Sequence, residues 1–298
     1  MSDSKDNTTS SDDGSDHSMI SAANRLEVLI SALEAVPEEL AAKMNLECDA
    51  VMVNQTECES DRLFWLEDKN AKGMHHESSH DTQYESSHDT QYESSHDTQR
   101  DTQYESSHDT QHCQNRHMIH CIEMKERGVG LSRNTCIDNI DPDKKIVLFA
   151  DDDIRYGKGY AKKIMDEFTA HPEADMILFN VNVCEERATY HNEAWKRVRS
   201  YNSGRYPAYS IAVKTDKLLK SGVRFSLLFG GGARFSCGED SLFFRECLKM
   251  GIRIYASPIL IAGEEVRTST WFCGYNEKYF TDKGVLYYYM YGHMAGIA

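Results

Sequence analysis

No run of 18 uninterrupted apolar residues occurs in this 298-residue chain, so nothing in it reads as a membrane-spanning helix. The N-terminus also lacks a basic region followed by an apolar one. Its first 20 residues are acidic and rich in Ser and Thr, and the expectation is a soluble, non-secreted, cytoplasmic protein. C-x-x-C pairs are missing. The nine cysteines, at 48, 58, 113, 121, 136, 184, 237, 247 and 273, are odd in number and scattered, the pattern of reduced thiols. A basic excess is missing as well, which argues against nucleic acid as a partner.

What charge there is sits unevenly. Of the net −15, residues 1–20 carry −4 and residues 77–111 carry −8, leaving −3 for everything else. The fold itself is therefore close to neutral, neither a nucleic-acid surface nor a strongly acidic domain. Residues 1–20 have almost no apolar content and read as a disordered acidic tail. Residues 77–111 hold an exact repeat, E-S-S-H-D-T-Q at 77–83, 85–91, 93–99 and 105–111, with a truncated R-D-T-Q at 100–103. A period of eight with one aromatic and no aliphatic residue per unit buries little, so the tract reads as a disordered low-complexity insertion in a surface loop. A metal-collecting role for His80, His88, His96 and His108 is the sharper alternative. The folded domain is placed at 26–298, interrupted by that insertion.

Along the domain, Leu26–Ser31 predicts a strand, residues 34–44 a helical turn or two with Pro37 near the start, and Asp49–Asn54 a second strand. This order opens a parallel α/β sheet. After the insertion, His117–Met124 predicts a strand and Leu131 to about Ile140 a helix. Ile146–Ala150 is an uninterrupted apolar run, the mark of a strand buried on both faces, and Asp151-Asp152-Asp153 follows directly. Tyr160, Ile164 and Phe168 recur at helical spacing, and Met176–Val183 predicts another strand. The basic, aromatic stretch from Trp195 to Arg205 reads as an exposed helix or as a hold for an anionic or sugar-bearing ligand. Then come a strand at Ser210–Val213, a helix at Thr215–Ser221 closed by Gly222, a glycine-rich loop, a helix from Ser241 to Met250, and a strand at Ile252–Ala256.

Two acidic clusters carry the chemistry. A D-x-D turn at the C-terminal end of a buried strand presents carboxylates where open α/β sheets bind ligands, and suits Mg²⁺ or Mn²⁺ shared with diphosphate oxygens. Glu239-Asp240, at a loop-to-helix junction, reads either as a helix N-terminal charge pair or as the source of a general base.

With L-E-V-L-I-S, V-N-Q-T-E, G-V-G-L-S-R-N, L-F-A-D-D-D and C-G-E-D in this order, the chain resembles the family 2 glycosyltransferases of the GT-A fold. The stretch S-P-I-L-I-A-G-E-E-V-R-T-S-T-W-F-C-G-Y-N is similar to the C-terminal part of a bacterial subgroup of that family. The resemblance implies a mostly parallel central sheet flanked by helices. It implies inverting transfer from a nucleotide-diphosphate sugar to a hydroxyl of a glycan or lipid-linked acceptor, in bacterial surface polysaccharide synthesis.

Carried over residue by residue, it makes Asp153 the main metal ligand, with Asp151 beside it and on the ribose or uracil. Asp240 becomes the base with Glu239 in support, Arg133 and Asn134 border the nucleotide pocket, and Arg267 and Trp271 are donor-phosphate or acceptor contacts. The first strand departs from the family, ending Ser31-Ala32-Leu33-Glu34 where a proline and an asparagine are common. His293 is either structural or a further metal ligand, and Val285–Ala298, apolar and Tyr-rich, either packs on the domain or touches a membrane surface. A non-catalytic nucleotide-sugar or glycan-binding protein on the same fold, and a metal-dependent phosphate-ester hydrolase, remain alternatives.

Overall fold

In the computed structural model, residues 22–67, 116–265 and 276–296 are described. The tail, the repeat tract and the pair Arg267 and Trp271 lie outside the described residues. Ten described strands form one sheet. They are β1 (Leu26–Leu33), β2 (Asp49–Gln55), β3 (Ser60–Glu67), β4 (Arg116–Met124), β5 (Ile146–Asp151), β6 (Ile154–Tyr156), β7 (Met176–Asn182), β8 (Lys196–Arg197), β9 (Ile211–Lys214) and β10 (Ile254–Glu264). Their order is β3-β4-β2-β1-β5-β9-β7-β10-β6, with β8 added on β10. The run β4-β2-β1-β5 is parallel, as is the pair β7-β10. Between them β9 runs antiparallel to both neighbours, and β3, β6 and β8 are antiparallel additions. The result is the mixed α/β class expected, a largely parallel core flanked by helices.

Alternation along the strands separates two cores. Val28, Ile30, Met52, Leu148 and Phe179 face one side, where they meet Leu40 and Met44 of α1 (Pro37–Met44) and Tyr160, Ile164 and Phe168 of α3 (Tyr160–Ala170). Leu29, Val51, Val147, Phe149 and Leu178 face the other. There they meet Cys136 and Ile137 of α2 (Val129–Asp138) and Phe243, Phe244 and Cys247 of α5 (Glu239–Lys249). α4 (Thr215–Ser221) ends at Gly222 in the left-handed region, as its sequence predicts. α6 (Glu277–Tyr291) sets Leu286 and Met290 against Phe229, with Tyr289 edge-on to the same ring, and leaves Tyr287, Tyr288 and Tyr291 exposed. No described helix is long and apolar enough to cross a membrane.

Several expectations are corrected. Residues 195–205 are not helical: Lys196 and Arg197 pair with Ala256 and Tyr255, and Trp195 stacks on His171 and Tyr255, so pairing to β10 prevails over the local charge pattern. Strand β3 goes unforeseen because its outward residues Leu63 and Trp65 are apolar and blur the two-residue alternation. β10 continues to Glu264 through Pro258, where the ladder to β7 slips register, the setting in which a strand tolerates proline. α5 starts at Glu239 instead of Ser241, so the acid pair is its first turn.

One close approach fixes the entry to α2. A Cβ on Gly130 would lie 2.4 Å from the Ser226 carbonyl oxygen. Gly130→Ala is expected to lower stability by about 1–3 kcal/mol, as overpacking does. A urea midpoint equal to that of the unaltered protein would refute this reading of the contact.

Candidate active site

The site lies where β5 ends and α2 and α5 begin. Gln55, at the end of β2, holds the turn before α2: its amide donates to the carbonyls of Glu126 (2.8 Å) and Gly128 (3.1 Å) and accepts from Gly128 N–H (3.3 Å). Gly128 takes φ +137°, a conformation open to glycine, and Val129 N–H donates to the Gly231 carbonyl at 2.9 Å. The first turn of α2 is thereby aimed at the tip of β5.

Arg133, one turn further into α2, is almost fully buried, its side chain 5% exposed. Its guanidinium donates to Asp151 Oδ1 at 2.9 Å and to Asp240 Oδ1 at 2.8 Å, and Glu239 Oε1 lies 3.5 Å away. Beneath it, 5.2 Å from the guanidinium carbon, is the ring of Phe225. Burial works against the Arg133 charge, but Asp151, Asp240 and Glu239 outweigh it and keep the group protonated. Asn134 donates to the Phe225 carbonyl (2.9 Å) and accepts from Phe225 N–H (2.8 Å), so its amide serves the platform under Arg133.

Asp240 also accepts from Ala208 N–H at 3.2 Å. Burial pushes its pKa up to about 7. Arg133 opposes the rise, and repulsion from Glu239 and Asp151 adds to it. A carboxylate poised there can take a proton near neutrality.

A second charge cluster sits two residues along the chain from Asp151. Asp153 Oδ2 meets Arg187 Nη1 at 3.0 Å, and the same Arg187 nitrogen contacts the buried carboxylate of Glu264. The antiparallel pairing of β6 with β10 sets Ile154 opposite Glu264, and Glu265 N–H donates to the Asp153 carbonyl at 2.8 Å. Tyr209 is buried with Arg187, Asp151, Asp153 and Asp240 around it. Burial raises its phenol pKa, Arg187 opposes, and the three acids reinforce the rise.

Arg187, Glu264 and Tyr209 were not foreseen. Only the E-E of Glu264-Glu265 offered a sequence signal; Arg187 and Tyr209 lie in loops whose positions depend on the fold. His293 sits in the turn after α6, edge-on to Tyr288 at 6.2 Å.

The donor set fits a hard divalent cation. Asp153 and Glu264 converge on one positive charge, and apart from that ion pair the Glu264 oxygens have no hydrogen-bond partner among the described residues. No group of three or more His, Cys, Asp or Glu among the described residues could hold a metal. Two carboxylates completed by diphosphate oxygens and water is the arrangement Mg²⁺ favours. Asp151, by contrast, is engaged by Arg133.

The sheet order is that of a mixed α/β fold with a largely parallel core, and Asp151 lies at the end of its central strand β5. Among solved structures the chain is similar to the crystal structure of S. aureus TarS and to that of S. aureus TarS 1–349. Each match has 13% identity, a TM-score of 0.50 and 88% of this chain covered. The chain spans 39% of the first and 64% of the second, less than two thirds of either. No protein-family model and no curated protein matches it.

Proposed function

We propose that the chain is a metal-dependent, inverting glycosyltransferase of the family 2 type, moving a sugar from a nucleotide-diphosphate donor to a glycan or lipid-linked acceptor. The observation that carries the reading is the Arg133 guanidinium, which joins Asp151, on the donor side, to Glu239 and Asp240, on the acceptor side. Asp240 takes the proton of the acceptor hydroxyl as its oxygen bonds to the anomeric carbon and the bond to the diphosphate breaks. Attack from the opposite face inverts that carbon. Asp151 holds the ribose or uracil end of the donor. Asp153 and Glu264 would hold Mg²⁺ or Mn²⁺, which supplies positive charge to the departing diphosphate. Arg187, which pairs with both acids, lies beside that site and would add positive charge there.

A role in bacterial surface polysaccharide synthesis draws on the sequence motifs shared with the bacterial subgroup of that family. A cytoplasmic protein touching the inner face of a membrane is the matching location, and the outward tyrosines of α6 support peripheral contact.

The test is a panel of nucleotide sugars with Mn²⁺, with chelator, and with Asp153→Asn. Release of nucleoside diphosphate together with a glycosylated product is expected. It should stop with chelator, return with Mn²⁺, and fall about 100-fold in the variant, alongside weaker Mn²⁺ binding by spin resonance. Nucleotide-sugar binding without turnover under every condition would instead support a non-catalytic binding protein. Phosphate release from simple esters would support a hydrolase.

A further inference from the structure

A groove of about 710 Å³ lies between β8 and the loop after it, the C-terminal half of α5 and the end of α6. We propose that this groove binds the acceptor and that the acceptor is an anionic glycan, bearing phosphate or carboxylate groups; this rests on the glycosyltransferase reading. Four cations line it, Arg197, Arg199, Arg245 and Lys249, and no acid does, in a chain whose net charge is −15.

Two of the four are already engaged. Lys249 pairs with Glu246 at 2.6 Å, and Arg197 lies over the Tyr255 ring at 4.8 Å. Arg199 and Arg245 have no acidic partner among the described residues. Each offers a planar fork of donors matched to a phosphate or carboxylate. Beside them Tyr201 is 81% exposed and Tyr291 42% exposed, aromatic faces that suit the C–H faces of sugar rings.

The groove also connects to the proposed base. Its wall includes Ser203. The next residue, Gly204, accepts from Ser241 Oγ at 3.4 Å, and the same segment reaches Ala208, whose N–H donates to Asp240. Along the other wall, Asp240 and Lys249 are the two ends of α5, nine residues and about 14 Å apart at the helical rise. A glycan with its charged units on the arginines would have to continue past Ser203 and along α5 to bring a hydroxyl to the base, so the proposal takes an oligomeric acceptor of several sugar units.

The experiment uses the full chain and calorimetry with three probes: an oligogalacturonide, a neutral dextran oligomer of equal length, and phosphatidylglycerol vesicles. The expected result is binding of the oligogalacturonide at least 10-fold tighter than dextran, weakening with salt. The double variant Arg199→Ala/Arg245→Ala should lose that preference while keeping its melting temperature and its affinity for nucleoside diphosphate. In the transfer assay the same variant should raise KM for an anionic acceptor with kcat nearly unchanged. Equal affinity for both oligomers, or an unaltered preference in the double variant, overturns the proposal, as does vesicle binding lost in the variant without any oligogalacturonide binding. These results are separate from the transferase reading, which fails only if no nucleotide sugar is turned over.

Discussion

Turnover of Asp240→Asn should fall by about 10²- to 10⁴-fold, the range for loss of a general base, with little change in melting temperature. Asparagine keeps the shape and can still accept from Arg133 through its one oxygen, but its amide nitrogen cannot accept from Ala208 N–H as Asp240 Oδ2 does, and it cannot take a proton from the acceptor hydroxyl. The pH profile is the sharper check. Asp240 works only when ionised and its pKa is pushed up to about 7, so activity should rise with pH through about 7 in the unaltered protein. That limb should vanish in the asparagine variant. Glu239→Gln should move it to lower pH, because repulsion from Glu239 is one of the forces raising the Asp240 pKa. Full activity in Asp240→Asn, measured as product formed per enzyme, would remove Asp240 from the mechanism.

Arg133→Met should be the most destabilising single change at the site. It leaves Asp151, Glu239 and Asp240 facing one another without the cation that now compensates them. Removing one partner of a buried ion pair costs about 3–5 kcal/mol. The sign of the pH dependence follows. Asp240, already pushed up by burial, loses in the variant the cation that holds its pKa down, so stability should be greatest at acid pH and decline as pH rises through its raised folded pKa. Adding Asp151→Asn should recover part of the loss.

Arg133→Lys keeps a charge but not the fork, so the fold should survive while the activity limb shifts upward, since Arg133 is what holds the Asp240 pKa down. Denaturant melts at two pH values and the activity profile check both variants. A pH-independent loss in Arg133→Met would mean that packing over Phe225, not charge, is what Arg133 supplies.

β5 and α4 were legible because their signals are local: five consecutive apolar residues for the first, and a glycine closing the second. Asp151, Asp153, Glu239 and Asp240 could be singled out as types in a pattern. That all but Asp153 share one guanidinium could not, because Arg133 and Asp240 are 107 residues apart. That the amide of Asn134, expected at the edge of a nucleotide pocket, is bound to the backbone of Phe225 could not be read either, since that contact spans 91 residues.

By itself the amino-acid order determined the parallel core, the near-neutral charge of the domain and the presence of two acidic clusters, since apolar runs, caps and charge counts act over a few residues. Only the tertiary structure decided which acid faces which cation. Those contacts depend on strand register and on loops such as 185–187 and 208–210, where β6 against β10 brings Glu264 to Asp153 and α2 delivers Arg133 between β5 and α5.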